Sequence, residues 1–162
     1  MTFNRLVYSI LEQVKPLSPF DIDVLAALLV KEAGGEKDYV AGMAGVMNTI
    51  AARANNNPSN FIKVALQPKQ FSAFNNIKSQ QDLVNVVTQT KTHPRFNAAK
   101  EMVVSASRGT LPNLIGQAKH YHVTKGPSTV TPSWTSPQYG GKNPLAKPTT
   151  TIGSHTFFSG VR

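Results

Sequence analysis

The chain of 162 residues has no cysteine, and its 40% hydrophobic and 15% charged residues suit one globular domain with a substantial core. That composition excludes a disordered tail, a disulfide scaffold and thiolate chemistry, and no stretch reaches the roughly 18 apolar residues of a membrane span. The 17 Lys and Arg against 8 Asp and Glu leave a net charge of +9, which calls for an anionic partner or workplace.

The N-terminal stretch lacks the charged start, continuous apolar middle and small-residue cleavage site of a secretory signal. Leu6, Ile10, Leu11 and Val14 instead mark one side of an amphipathic helix, a helical extension over residues 1–17. A capping signature follows, with Ser18 as N-cap, Pro19 at the first helical position and Asp21 three residues after the cap. The helix it opens is apolar nearly all round, as a central buried helix is, and Gly34 and Gly35 end it. Asp38 is placed to cap a second helix, whose Val40, Met43, Val46, Met47 and Ile50 keep the 3.6-residue period. A short helical segment spans 61–66, Ser79 and Asp82 cap a helix through Leu83 and Val87, and Pro94 opens another that Gly109 stops. The last third alternates like strands around 116–124 and 150–160. Between them residues 126–150 form a Pro/Gly-rich loop, of a length that is uncommon unless it covers a binding site. The expectation is an α+β fold, a helical body with a small β part, in one domain over 1–162 with the loop as a lid.

Glu32 stands out. It falls in the last turn of the first helix, where the macrodipole disfavours an anion, one turn after Leu28 and Leu29. Both influences favour its protonated form, which is what a general acid for glycosidic cleavage needs. The bland alternative is a helix-end charge pointing into solvent beside Lys31. Few other carboxylates are free, since Asp21, Asp38 and Asp82 read as caps and Glu101 lies beside Lys100 on an exposed face.

The segments "KEAGGE", "GMAGVMNTIAAR", "QPKQFS", "AKHYH", "PSW" and "IGSHTFF" occur in an order that resembles the cell wall hydrolases of the spore cortex-lytic enzyme type, a family that includes phage lysins. The resemblance runs over roughly 28–160. It implies a lysozyme-like fold, similar to lytic transglycosylases, with the glycan groove between helices and sheet. It further implies Glu32 as the catalytic acid, Glu36 as a supporting residue, and Gln70, Phe71 and Ser72 at the groove edge. Tyr121, His122 and His155 fall on its later motifs, and Trp134 is the aromatic best placed to face a sugar. Three positions depart from the family pattern: Gly34 where Arg is frequent, Ala52 before Arg53 where Asn is usual, and Ser154 for Asn.

The activity so implied is cleavage of peptidoglycan between N-acetylmuramic acid and N-acetylglucosamine, by lytic transglycosylation or as a muramidase. No metal or cofactor is expected. The protein is expected to be a monomer, made in a host cytoplasm and acting at the wall or carried in a virion. Two alternatives compete. Same-face His120 and His122 with His155 from a neighbouring strand could hold zinc in a wall amidase, though no His-Glu-x-x-His supports it. A nucleic-acid-binding protein would also suit the charge, yet no two basic residues are adjacent and no recognition motif accompanies them.

Overall fold

The structure, a computed structural model, describes residues 15–124 and 131–161. The helix expected over the first residues lies outside them, as does the start of the Pro/Gly-rich loop. Among the described residues the fold is α+β: five α-helices, then a three-stranded sheet. Among the described residues no helix is long and apolar enough to cross a membrane.

Helix α1 (Pro19–Ala33) begins in a complete capping box: the Asp21 N–H donates to Ser18 Oγ and the Ser18 N–H to Asp21 Oδ2, each at 3.1 Å. Its Val24 to Val30 run is buried on all sides, because α2 (Tyr39–Arg53), α3 (Phe61–Ala65), α4 (Gln80–Thr90) and α5 (Phe96–Ser107) all pack on it. Asp38 holds the N-cap position of α2, but its side chain makes no cap. Helix α5 starts at Phe96 rather than at Pro94. The α1–α2 turn is held from outside. The Arg95 guanidinium donates to the carbonyls of Gly34 and Glu36 and lies 3.8 Å over the Tyr39 ring.

Strands β1 (His120–Val123), β2 (Lys147–Ile152) and β3 (His155–Ser159) form an antiparallel sheet in the order β1-β3-β2. The single strand expected near the C-terminus is therefore a hairpin, turned at Gly153 and Ser154. The Pro/Gly-rich loop ends at residue 146, since 147–150 belong to β2. Its part from 131 onward is packed onto the sheet. Trp134 and Tyr139 both meet Phe158 edge-on, at 5.7 and 5.3 Å.

The sheet meets the helices where Phe157 lies against α2. A Cβ on Gly45 would come within 2.6 Å of the Phe157 ring, so only glycine permits this approach. Phe157 and Phe158 are both fully buried, one on each face of the sheet, and neither is available to a ligand. Tyr121 packs against both the helical core and the smaller Ile115–Ala118–Phe157 cluster, at the seam between body and sheet.

Candidate active site

Glu32 points into that seam, not into solvent. The Ala73 N–H donates to Oε1 at 2.8 Å and the Ser72 hydroxyl to the same oxygen at 3.2 Å. The Tyr121 hydroxyl donates to Oε2 at 2.8 Å. The carboxylate is thus met by three donors, from the end of the chain's middle loop and from β1, rather than by apolar neighbours alone. Burial, then the charge of Glu32 and the bond to it, raise the Tyr121 pKa well above its ordinary value. The phenol accordingly keeps its proton.

These groups open on a cleft of about 480 Å³. Of the residues expected at the site, Glu32, Gln70, Ser72, Tyr121, His122, Trp134 and His155 line it. Glu32 is the one carboxylate among the described residues that does. Phe71 is 2% exposed and Phe74 is also buried, so neither ring offers a face to a ligand. Phe71 instead carries the Arg53 guanidinium 5.3 Å above its centroid and packs beside Tyr121.

Glu36 does not line the cleft. Its Oε1 accepts from the Ser154 hydroxyl at 2.5 Å and lies 2.8 Å from His155 Nδ1, pinning the β2–β3 turn to the end of α1. The Ser that replaces the family's Asn thus makes this contact. His155 stands on the Tyr121 face of the sheet, because it pairs with Val123 across β1 and β3. It meets the Tyr121 ring edge-on at 5.1 Å.

That register corrects the zinc reading. His120 and His122 lie on the opposite face, against Trp134 at 5.4 and 6.5 Å, and cannot share a metal with His155. Among the described residues no group of three His, Asp or Glu side chains is arranged to hold a metal ion. Burial, then the charges of Arg53 and Lys119, pull the His120 pKa to about 4. Burial, then His155, lowers that of His122. His120 is therefore neutral at physiological pH and adds no charge to the cleft.

Three polar residues of the cleft escaped the sequence reading: Arg53, Lys69 and Asn75. Arg53 is the best fixed. Its Nε–H donates to the Lys119 carbonyl at 2.6 Å and its Nη1 to Gln70 Oε1 at 2.8 Å. Lys69 takes a left-handed φ of 61°, unusual for a long side chain, in the turn that presents Gln70 to Arg53. The only signal for Arg53 lay in its place at the end of α2, where the family pattern also carries Arg.

Residues 37–158 match the family model described as Cell Wall Hydrolase. No curated protein and no solved structure matches the chain. The matched segment begins just after Glu36, so the place of Glu32 rests on the geometry above and on the motif it heads.

Proposed function

The chain belongs to the cell wall hydrolase family, and from that premise we propose that it cuts the glycan strand of peptidoglycan between N-acetylmuramic acid and N-acetylglucosamine. The observation that carries this reading is Glu32, the one carboxylate among the described residues of the cleft, with three donors converging on it. Glu32 gives its proton to the glycosidic oxygen as the bond from that oxygen to muramic C1 breaks. The donors from Ala73, Ser72 and Tyr121 then meet the negative charge left behind.

Among the described residues no second carboxylate stands in the cleft to attack C1 or to activate a water from the far side. The muramic C6 hydroxyl supplies the nucleophile: its oxygen bonds to C1 and its proton passes to Glu32, which is restored as the acid. The product is an anhydro sugar, and the reaction is lytic transglycosylation. Water in the same role would give a muramidase with a reducing end. Arg53 and Lys69 bring positive charge to a substrate that carries carboxylates, and Trp134 offers an aromatic edge to the sugar.

Digestion of purified wall with wild type and Glu32→Gln, followed by mass spectrometry of the released fragments, tests the reading. Anhydro-muramic ends from wild type, with a loss of about 10² to 10⁴ in rate for the variant, support it. Reducing ends replace transglycosylation by hydrolysis, and a fully active variant removes Glu32 from the chemistry. That the enzyme serves a phage as its lysin rests on the resemblance of its motifs. Lysis of intact bacteria, from outside or on expression within, tests that role.

A further inference from the structure

A second and larger cavity, about 890 Å³, lies beside the cleft. The two share a wall in the chain itself. Ala52 lines the cavity and Arg53 the cleft, while Lys119 lines the cavity and His120 the cleft. The hydrogen bond from Arg53 Nε to the Lys119 carbonyl ties these two pairs together.

The lining chemistry differs sharply between the two. The cleft has Trp134, Tyr121 and Glu32, whereas the cavity has no aromatic side chain and no carboxylate among the described residues. It carries amides instead. Asn55, Asn56 and Gln117 line it with side chains that bond to no other described residue, and Lys119 is the one cation among its described residues. Helices α2 and α5 both end there, at Arg53 and Ser107, and turn the partially negative carbonyl ends of their dipoles toward it. Free amides pair with both the N–H and the C=O of a peptide. A cation beside helix C-termini suits a ligand bearing both a carboxylate and an ammonium. Without an aromatic platform among its described residues, the cavity is a poor seat for a sugar ring.

We propose that this cavity binds the short peptide stem that branches from the muramic acid of the strand held in the cleft. The proposal rests on reading the cleft as a peptidoglycan site. It makes the protein selective for peptide-bearing strands over stripped glycan, through contacts remote from the bond that is cut.

The test uses the full chain as Glu32→Gln, so that binding is read without turnover. Side-chain amide resonances are followed while the tripeptide L-Ala-γ-D-Glu-L-Lys, or N-acetylglucosamine tetramer, is added. The tripeptide should move Asn55, Asn56 and Gln117 at millimolar concentration, and Lys119→Met should weaken it by at least about fivefold. The tetramer should move the Trp134 indole and leave those amides still; its unchanged effect in Lys119→Met also shows that the variant is folded. With active protein, the rate ratio for peptide-bearing over amidase-stripped strands should fall toward one in Gln117→Ala and Lys119→Met. Cavity resonances unmoved by the tripeptide, or moved by the tetramer, overturn the proposal, as does a ratio the variants leave unchanged. If neither strand is cut and the tetramer leaves Trp134 still, the reading of the cleft fails by itself, and the tripeptide titration still decides what the cavity binds.

Discussion

The Tyr121 hydroxyl donates to Glu32 Oε2 at 2.8 Å, joining β1 to the last turn of α1 across 89 residues of chain. Burial, the charge of Glu32 and the bond to it raise the Tyr121 pKa, against a smaller opposing pull from Arg53. Tyr121→Phe keeps the ring against Phe71, His155 and Phe157 but removes the donor. We expect kcat to fall by about 10²-fold with a stability loss of only about 1 kcal/mol. Steady-state kinetics beside a thermal melt checks this. A large fall in Tm with kcat preserved would make Tyr121 a packing residue only.

His120 should give the protein a marked stability slope in mild acid. Its pKa is about 4 in the folded chain against an ordinary 6.5. Between those values the unfolded chain binds a proton that the folded chain does not, so stability falls as pH drops through this window and is level above it. His120→Gln removes the difference. Melting curves from pH 7 to pH 4 should be steeper for wild type than for the variant, and parallel curves would exclude His120 as the source.

The helices were legible because their signals are local. Ser18 and Asp21 announce α1, Ser79 announces α4, and the 3.6-residue period of α2 survives any tertiary context. The hairpin was not, because Gly153 and Ser154 interrupt one alternating stretch only briefly and their turn is held by Glu36 from 118 residues away. The same division runs through the site. Glu32 stands out in the sequence by its costly position at a helix end, but a backbone donor such as the Ala73 N–H that meets it has no sequence signature. Phe71 looked like a groove residue beside Gln70 and Ser72, yet the short turn at Ser72–Phe74 points its ring into the core. His155 was grouped with His120 and His122 by type, and only strand register could place it on the other face.

Asp23 shows the same blindness in the body of the fold. It is buried in α1, and its carboxylate meets Lys91 at 2.7 Å and Lys100 at 2.9 Å, bridging the end of α4 and the middle of α5. Burial pushes its pKa up, but the bonds and charges of the two lysines outweigh this and hold it below the usual value. The stability it contributes is therefore present above the unfolded pKa near 3.8 and is lost as pH falls through the folded one. Asp23→Asn should cost about 1–3 kcal/mol while leaving the site's geometry untouched. Denaturant melts at neutral pH and at pH 3 should show the difference between the two proteins shrinking in acid.

Gly153 and Glu36 should be energetically coupled although they lie on different halves of the fold. Gly153 adopts a left-handed φ of 59°, and a Cβ there would come within 1.9 Å of Glu36 Oε2. Gly153→Ala therefore strains the turn and displaces the carboxylate from Ser154 and His155, at a cost of about 1–3 kcal/mol. Glu36→Ala loses those same contacts but vacates the space that the new methyl needs. The double variant should then be more stable than the sum of the two changes predicts, with an interaction of about 0.5–3 kcal/mol. Because His155 stands edge-on to Tyr121, both single variants should also lower activity by loosening the ring that holds Glu32. Additive stabilities would show that the turn tolerates the methyl without Glu36 moving. Full activity in Glu36→Ala would confine the pin to stability.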